Sequence, residues 1–573
     1  MKWDIDHTEE NPGICLSEID FNDDTKIDRI NKNDIVIFVG PNNVGKSQTL
    51  KDIYNGLADQ PSTILKRIHP YKWGNINKIK ELIKEIGSYN RQANQYYVMG
   101  EYINFNNIGY TMGETCENHR DLRDLFVCDL NTETRLSVCH PAESITPNDS
   151  KTHPIHYLAF SAEVRKKFSK YFNMAFHKEI VPNIWYGKEI PLVVTDKMIQ
   201  LKKEDFNDET ERTEAYAAEL MKYPMAHEQG DGVKSFIGIL LYLILDFYKV
   251  YLIDEPEAFL HPPQAKIMGQ MIGELTQGNK QVFISTHSEQ LIHGLLDTAP
   301  DRVKIVRVTR EKTQNHVFVL NAIDIERVWS DPILKYSNVL EGLFFKNVVL
   351  CESDSDCRFY AIINDFLQRE NGNYADTFFA YSGGKQRVPV VMKALSSLGV
   401  DTKVIVDIDV LNTKPTFEKI CRSCHIDWSS ICEDYQALYD EINRQSEMSA
   451  RPKDEILTKI DKITKQSPES KYYSEIEVHQ IKEMLKGKSP WNALKRYGQE
   501  AIPSGQSVQA FKRINEVAKK HNLFIVPVGE LECFVKDVNT HGPRWVNAVL
   551  ERYGDLKDPV YDRVKKFISL LQL

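Results

Sequence analysis

The feature that most constrains this 573-residue chain is a glycine-rich loop, GPNNVGKS, at residues 40–47. The loop fits the pattern G-x-x-x-x-G-K-[ST], in which glycines allow backbone N–H groups to surround phosphates. The apolar segment 34–39 predicts a short buried strand before the loop, and a helical pattern follows from Gln48. A helix that begins directly after the loop adds a dipole that favours an anion. The sequence therefore predicts an α/β unit that binds a nucleotide.

Individual residues of this loop are predicted to bind ATP and its metal ion. Lys46 is expected to neutralise the β- and γ-phosphate oxygens, and Ser47 is expected to coordinate Mg²⁺. The predicted ATP-binding positions of the loop are Gly40, Asn43, Gly45, Lys46 and Ser47.

Two further apolar segments end in polar side chains. The segment 250–253 ends in Asp254 and Glu255, which are expected to hold Mg²⁺ and to polarise the attacking water, respectively. The segment 281–284 is soon followed by His287, and a turn with Gly230 and Gly232 precedes a long apolar helix. The two acids, paired with the phosphate-binding loop, indicate a site for nucleotide hydrolysis, whereas a lone histidine after a strand indicates little by itself.

The apolar run 235–253 is the one segment that could be mistaken for a membrane span, which needs about 20 apolar residues. Asp246 and Lys249 interrupt it, so we predict a buried helix followed by a buried strand at 250–253 and no membrane association. The acidic start MKWDIDHTEENPG lacks a secretory signal, and ten cysteines are too few for a disulfide scaffold. A cytoplasmic protein is expected.

Composition limits how the chain could bind nucleic acid. Lys and Arg number 72 against 81 Asp and Glu, so the formal net charge is −9. Composition therefore does not predict an overall basic nucleic-acid-binding domain, and any such binding must come from local basic surface. The best local stretch is lysine-rich, with Trp491 and Tyr497 interleaved, although a solvated helical face is an equal alternative. Its predicted DNA contacts are Lys486, Lys488, Lys495 and Arg496.

The second half of the chain alternates predicted strands and helices, which indicates a parallel α/β sheet. Glu352 follows the strand 347–350, and Asp407 and Asp409 end the strand 403–406. Residues two apart on a strand face the same side, so the two aspartates should point in one direction. Clustered carboxylates must be either solvated, as acidic strand ends at a solvated rim, or neutralised by a cation, and all-oxygen ligands suit Mg²⁺ or Mn²⁺. Two such metals can assist phosphodiester cleavage.

Other chemistry-bearing residues of this half are less specific. Asp356 and Glu532, the latter preferred over Glu530, are predicted as further metal ligands. Lys385 follows a strand and is interpreted as either a phosphate contact or, preferably, a plain turn lysine. Cys421, Cys424 and His425 match C-x-x-C-H, but no second C-x-x-C completes a zinc site, so ordinary thiols are favoured.

The first half resembles the ABC-type ATPase head of the RecF and SMC group, on the order of GPNNVGKS, the glycine turn, IDEPE and STHS. This resemblance implies that His287 contacts the γ-phosphate and that Gly230 and Gly232 form the signature loop. The glycine turn departs from LSGGQ, which puts a standard ATP sandwich dimer in doubt. The interval between Lys46 and Asp254 lacks sustained heptads, which argues against SMC-type coiled-coil arms.

The second half resembles a Toprim domain, with Glu352 after its first strand and Asp407 and Asp409 after a later one. An ABC-type head followed by Toprim resembles the overcoming-lysogenisation-defect (OLD) family of nucleases. This implies an ABC/RecF-like ATPase domain at 1–325 with an insertion at about 56–200, a linker at 326–342, and a Rossmann-like Toprim domain at 343–573 with a helical insertion at about 412–521.

The resemblance also implies an activity and partners. OLD proteins are metal-dependent DNA nucleases or nickases, often dimers or tetramers through the ATPase heads, and many serve antiphage defence. Some act alone, and others act with a helicase or with a retron reverse transcriptase and its DNA–RNA hybrid (msDNA). Two alternatives stay open: an ATP-binding sensor or scaffold with a silent Toprim unit, and a RecF-like repair ATPase, which leaves the Toprim acids unexplained.

Overall fold

The computed structural model describes residues 11–113, 116–320, 338–373, 376–448, 453–465, 472–485 and 490–573. The chain divides into two compact units, Met1–Ser330 and Asp331–Leu573. Most of the predicted linker 326–342 lies outside the described residues, and a short 3-10 helix, Asn338–Phe344, begins where the description resumes.

Strands of the first unit form one large sheet and several small ones. In chain order they are β1 Gly13–Phe21, β2 Lys26–Ile27, β3 Ile35–Val39, β4 Leu65–Trp73, β5 Ser88–Asn90, β6 Gln95–Val98, β7 Glu101–Ile103, β8 Val127–Leu130, β9 Ala142–Glu143, β10 Glu179–Pro182, β11 Glu189–Ile190, β12 Leu192–Thr195, β13 Val250–Asp254, β14 Gln281–Ser285, β15 Val303–Glu311 and β16 Gln314–Leu320. The helices are α1 Lys46–Gly56, α2 Ile76–Ile86, α3 Ile108–Thr111, α4 Arg120–Phe126, α5 Thr132–Ser137, α6 Pro154–Phe160, α7 Ala162–Phe176, α8 Glu209–Leu220, α9 Asp231–Leu243, α10 Pro262–Leu275 and α11 Glu289–Thr298.

The large sheet has the order β16-β15-β3-β14-β13-β8, and all of its pairings are parallel except that of β15 with β16. Strands β3 and β14 are buried along their whole length, as expected for strands covered on both faces. The register pairs Asp254 with Ser285, and Ser285 with Phe38. The loop after β3 therefore lies at the same sheet edge as the acids after β13.

The apolar run 235–253 contributes to the core of this unit. Its first part belongs to helix α9, whose residues from Phe236 to Leu241 are buried, and its last part is strand β13. This confirms the predicted helix and strand. Across the described ranges, no helix is long and apolar enough to cross a membrane.

In two places the local sequence pattern of the first unit does not match its structure. The stretch 64–86 contains many helix formers, but only 76–86 is helix, α2, whereas 65–73 is strand β4, paired antiparallel with β1 through Ile19 and Ile68. Pairing with a distant strand decides the conformation of 65–73. The pattern at 136–139 is typical of a strand, but Leu136 and Ser137 end α5, whose first turn is capped by Asn131 accepting from the Thr134 amide at 3.0 Å.

The second unit is built on four parallel strands in the order β18-β17-β19-β20. Their bounds are β17 Asn347–Cys351, β18 Thr377–Tyr381, β19 Asp401–Val406 and β20 Leu523–Ile525. The described helices are α12 Asp354–Glu370, α13 Val388–Ser397, α14 Lys414–Ser423, α15 Cys432–Met448, α16 Lys453–Thr464, α17 Glu475–Leu485, α18 Pro490–Tyr497, α19 Gln506–Lys520, α20 Pro543–Arg552 and α21 Asp562–Ser569. Six of these helices, α14 to α19, lie between β19 and β20, so the strand series is interrupted by a helical segment.

Acidification is expected to destabilise the first unit through a buried histidine. His119 is 1% exposed, and burial lowers its pKa to about 4 from an ordinary value near 6.5. Between these pH values the unfolded chain binds a proton that the folded chain does not. The free energy of unfolding should therefore fall as pH drops from 6.5 towards 4, by about 1 kcal/mol per pH unit. Urea denaturation between pH 7 and 5 measures this slope.

The matched variant for this measurement is His119→Gln, which keeps a side-chain donor and cannot titrate. We expect a shallower slope for it over the same pH range. An identical slope in the two proteins would show that another group causes the acid sensitivity.

Candidate functional site

The loop between β3 and α1 is held in an open, turned conformation. Gly40 and Gly45 have φ of 139° and 101°, and Asn43 has φ of 61°. A Cβ on Gly40 would lie 2.1 Å from the carbonyl oxygen of Val308, so this position accepts only glycine. The Asn315 side chain donates to the Val44 carbonyl at 2.5 Å and thereby ties the loop to β16.

Lys46 occupies the centre of this loop. Its Nζ donates to the carbonyl oxygens of Gly40 and Pro41 at 2.9 and 2.8 Å. Only 5% of the residue is exposed, and burial lowers the pKa of Lys46 to about 8, against the opposing effect of Glu255 and neighbouring acids. A phosphate bound in the loop would take the place of the two carbonyl oxygens as the partner of Nζ. Its negative charge would raise the pKa of Lys46 and keep the side chain protonated. Ser47 follows at the start of α1 and is half-buried.

Asp254 and Glu255 end strand β13 next to this loop. The Asp254 carboxylate accepts a hydrogen bond from the Ser285 hydroxyl. Arg135 is fully buried and donates to the carbonyl oxygens of Asp254 and, at 3.1 Å, of Glu255. Glu255 adopts a positive φ of 48°. The arginine thus fixes a turn that directs two adjacent acids out of the sheet.

Glu255 and His287 face each other across this edge, with Oε1 and Nε2 3.2 Å apart. The hydrogen bond from His287 lowers the pKa of Glu255, so the acid is an anion near neutral pH. Glu257 lies behind them and accepts from the Thr286 hydroxyl at 2.7 Å and from the His287 amide at 2.8 Å. Burial raises the pKa of Glu257. Glu257 therefore anchors the segment that carries His287.

Gly230 and Gly232 lie at the start of α9, where Gly230 is the N-cap. A Cβ on Gly232 would lie 2.4 Å from the Phe259 carbonyl oxygen, whereas a Cβ on Gly230 would meet nothing within 4 Å. This turn therefore packs beside the loop after Glu255.

In the second unit, Glu352, Asp407 and Asp409 offer carboxylate oxygens that all lie within 4.8 Å of one another. Glu352 follows β17 and Asp407 follows the neighbouring β19, so their closeness comes from the parallel pairing. The Asp407 amide donates to Glu352 Oε1 at 3.0 Å. The strand argument for Asp409 was wrong, because β19 ends at Val406 and Asp409 lies in a 3-10 turn, Ile408–Asn412. That turn still brings its carboxylate to the group.

The carboxylates of this acidic group are buried close together, which disfavours their charged forms. Burial raises the pKa of Glu352 to about 7, against the hydrogen bond from the Asp407 amide that lowers it. Burial and the nearby Glu352 raise the pKa of Asp407 well above its ordinary value. A bound cation relieves this repulsion, and three carboxylates are the ligand type preferred by Mg²⁺ and Mn²⁺.

A second acidic group lies in the same unit and contains Glu530, Glu532 and His541, whose ligand atoms also fall within 4.8 Å. Glu532 Oε1 accepts from the Gly542 amide at 2.9 Å. Asp356 accepts from the Ser353 amide at 2.9 Å in the first turn of α12, and burial raises its pKa to about 6, with Glu532 and Glu530 adding to the rise. Asp356 therefore belongs electrostatically with this second group.

Two lysines neutralise part of this charge. Lys385 Nζ lies 2.9 Å from Asp409 Oδ1, so it is an ion-pair partner of the first acidic group rather than a plain turn lysine. Lys495 Nζ lies 3.0 Å from Glu530 Oε2, which raises the pKa of Lys495. Lys495 therefore borders the acids, and Arg496 next to it is exposed. Lys486 and Lys488 lie outside the described residues.

Cys421 and Cys424 are buried, with 0% and 3% exposure, and burial raises the pKa of both thiols. Among the described side chains, they and His425 are not part of any close group of three metal-ligand residues. This arrangement favours ordinary thiols over a zinc site.

Sequence reasoning missed three residues of the first site: Arg135, Glu257 and Ser285. Glu257 and Ser285 could have been found from the sequence, since Glu257 lies in the IDEPE motif and Ser285 in the STHS motif. Arg135 had none, because it reaches Asp254 and Glu255 from a helix distant in sequence.

Residues 166–292 match a family model described as an AAA ATPase domain. The matched segment includes the acids Asp254 and Glu255 together with His287. The loop at 40–47 follows β3, which pairs with β14 of the matched segment. The first unit therefore contains a P-loop ATPase domain, which supports binding and hydrolysis of ATP.

Two curated proteins match parts of this chain in sequence. The chain is 22% identical over 166 residues to the Old nuclease of Escherichia phage P2, a match that covers 28% of each protein. It is 41% identical over 71 residues to an uncharacterized protein of Methanocaldococcus jannaschii, covering 12% of this chain and 62% of that one. Each match thus spans less than two thirds of the relative. Together with the AAA domain, the phage match supports an Old-like ATPase.

Solved structures with low overall similarity were also found. The SMC head domain from Thermotoga maritima is 12% identical with a TM-score of 0.29, covering 53% of this chain and 99% of that one. CbiO1 from Clostridium perfringens, part of the ABC transporter complex cbiONQ, is 14% identical with a TM-score of 0.26, covering 56% and 92%.

Proposed function

We propose that this protein is an ATP-regulated, divalent-metal-dependent DNA endonuclease or nickase of the OLD type. The observation that carries the proposal is the group of three carboxylates, Glu352, Asp407 and Asp409, within 4.8 Å at the ends of neighbouring parallel strands. The same chain carries a P-loop ATPase domain, and its matched relative from phage P2 is named as a nuclease. The strand order and acid positions of the second unit support a Toprim domain.

The donor set fits a hard divalent cation. Glu352, Asp407 and Asp409 would hold one Mg²⁺ or Mn²⁺, and Asp356 and Glu532 would hold a second. Bound metal would stabilise the charge on the attacking and leaving oxygens of a phosphodiester. Lys385 already neutralises Asp409 at 2.9 Å and is positioned to contact a phosphate oxygen when the carboxylate has another partner.

The first unit would bind ATP with its metal and use hydrolysis to regulate cleavage. Lys46 and Ser47, with the amides of the loop, would hold the phosphates and Mg²⁺, and Asp254 would complete the metal site. Glu255 would orient the attacking water, and His287 would contact the γ-phosphate. Gly232 packs beside Phe259. A homodimer or homotetramer through the ATPase heads is proposed from the OLD resemblance.

Anchoring of the His287 segment should control ATP turnover. Glu257→Ala leaves the Thr286 hydroxyl and the His287 amide without their acceptor, so we expect kcat for ATP to fall by about 10-fold or more through misplacement of His287. Binding of ATP should change less, because Lys46 is untouched. Steady-state ATPase kinetics and binding of a fluorescent ATP analogue measure the two effects.

Glu257→Gln is the matched variant for this prediction. Its amide oxygen can accept both hydrogen bonds, and among the residues that the structure describes no hydrogen bond to Oε2 of Glu257 would be lost. It should restore most of kcat. A Glu257→Ala protein with wild-type kcat would contradict the anchoring role.

Nicking of supercoiled plasmid tests the proposed function. Purified full-length protein should convert supercoiled to relaxed DNA with Mg²⁺ or Mn²⁺ and should stop when EDTA is added. ATP and a non-hydrolysable analogue should change the rate differently, because hydrolysis is proposed to regulate the cut. A protein that turns over ATP but cuts no DNA with either metal would contradict the nuclease and favour the alternative of a sensor with a silent second unit.

An antiphage role and its partners follow only from the OLD resemblance. In that setting the protein would act alone, with a helicase, or with a retron reverse transcriptase and its msDNA. Co-purification from cells under phage challenge, with the wild type and an Asp407→Asn variant, tests for such a partner.

A further inference from the structure

A cavity of about 680 Å³ opens beside the second acidic group of the second unit. Its lining combines acids, cations and one aromatic ring, among them Glu530, Glu532, Lys495, Arg496, Tyr497 and Lys536. This volume lies in the range of about 300–1,000 Å³ typical of ligand sites, so one nucleotide fits inside.

The aromatic ring of this cavity belongs to Tyr497, which is 48% exposed. The Arg496 guanidinium and Lys536 Nζ lie 5.7 and 5.6 Å from the centre of the ring. Proteins that hold single strands combine these parts: a base stacks on an aromatic face while nearby cations contact the backbone phosphates. A base that stacks on the ring would cover part of its exposed surface.

The position of Tyr497 is fixed relative to the acids. Tyr497 ends α18, and the next residue, Gly498, has φ of 64° with its Cβ position 2.1 Å from the Pro527 carbonyl oxygen. A Cβ on Gly529 would lie 2.1 Å from the Lys495 carbonyl oxygen. These close approaches join the end of α18 to the segment that leads into Glu530, so the ring is held next to the acidic group.

Contacts beyond this approach lock the same two segments together. The Gln499 amide donates to the Pro527 carbonyl at 2.9 Å, and the Cys533 thiol donates to the Lys495 carbonyl at 3.5 Å. The Lys495–Glu530 ion pair adds a third link. A base on the ring would therefore have its neighbouring phosphates close to the acidic group.

We propose that Tyr497 is a stacking platform for an unpaired nucleobase, with Arg496 and Lys536 contacting the adjacent phosphates. That the bound strand is afterwards cut rests on the proposed nuclease function, but binding of the strand to Tyr497 does not require cleavage. It defines the substrate class as a single-stranded or locally unpaired nucleic acid. Stacking accepts every base, so little sequence preference is expected.

Equilibrium binding to a labelled single-stranded oligonucleotide tests the proposal. The parent protein is the full-length chain with Asp407→Asn, which keeps the strand intact. Its Kd is measured by fluorescence anisotropy and compared with the Kd of the same protein carrying Tyr497→Ala or Tyr497→Phe as a second substitution. Alanine should weaken binding roughly 5- to 150-fold, and phenylalanine should retain it. Tyr110→Ala, which removes a 70% exposed tyrosine of the first unit, is the control and should change nothing.

A 2-aminopurine base in the oligonucleotide reports stacking directly. Its fluorescence should be quenched on binding in all variants except Tyr497→Ala. Affinity for a blunt duplex should not depend on Tyr497. Removing Arg496 or Lys536 should lower the slope of log K against log salt by about 0.7 for each lost phosphate contact.

The proposal is overturned if Tyr497→Ala binds the single strand as well as the parent, if the parent binds no single strand, or if blunt duplex depends equally on Tyr497. The same measurement with DNA and with RNA oligonucleotides of one sequence shows which of the two nucleic acids the cavity binds. Tyr497-dependent binding by a wild type that never cuts plasmid contradicts only the nuclease. Normal nicking with Tyr497-independent binding contradicts only this inference.

Discussion

Asp407→Asn is expected to abolish metal-dependent DNA cleavage by the second unit. Asp407 contributes a carboxylate to the group with Glu352 and Asp409, and its own amide holds Glu352 in place at 3.0 Å. An amide of the same size keeps the shape of the site but removes the anion that a divalent cation needs. Because metal stabilisation of the transition state is worth several kcal/mol, the nicking rate should fall by about 10³-fold.

A matched exposed acid separates this effect from a general change in charge. Asp562→Asn in α21 removes an aspartate whose side chain is 70% exposed, and it should cut at the wild-type rate. Asp407→Asn should keep normal ATP turnover and an unaltered circular dichroism spectrum. Wild-type nicking by the Asp407→Asn protein would show that cleavage occurs elsewhere.

The second large effect is expected for Glu255→Gln in the first unit. The hydrogen bond from His287 lowers the pKa of Glu255, so the side chain is ready to accept a proton from water. Glutamine keeps the volume and can still meet His287, but it cannot act as a base. Turnover of ATP should fall by about 10²- to 10³-fold, within the range for general base catalysis, while ATP binding through Lys46 persists.

Glu163→Gln provides the control, because Glu163 lies on α7 of the same unit and its side chain is 77% exposed. It should hydrolyse ATP normally. Equal loss of binding and turnover in Glu255→Gln would mean that Glu255 supports the nucleotide rather than the reaction. Unchanged kcat would remove it from the chemistry altogether.

The sheets could be predicted from the sequence where strands are buried on both faces. Segments such as 35–39 and 347–351 read as continuous apolar runs, and the parallel pairing of neighbouring strands brings Glu352 and Asp407 together. The position of Asp409 was predicted for the wrong reason. Alternation along a strand was expected, but a tight turn after Val406 delivers the carboxylate.

Long-range contacts set the limit of what could be predicted. Strand β4 depends on pairing with β1 some fifty residues earlier, which its own short sequence does not reveal. Arg135 supports Asp254 from a helix that follows the far edge strand of the sheet, and Lys495 reaches Glu530 from the helical segment between β19 and β20. These partners carry no local pattern, because only the tertiary fold determines which side chains meet.

The most direct test of the metal-dependent nuclease is binding of Mn²⁺ in the absence of nucleotide, followed by electron paramagnetic resonance. Wild-type protein should remove free Mn²⁺ from solution at pH 8, and less at pH 6, where protons compete for Glu352 and Asp356. Asp407→Asn should bind less Mn²⁺, because it disrupts the site formed by Glu352, Asp407 and Asp409, and Lys46→Ala should bind as much as the wild type. Equal Mn²⁺ binding by wild-type and Asp407→Asn proteins would contradict the assignment of the carboxylate group as the metal centre.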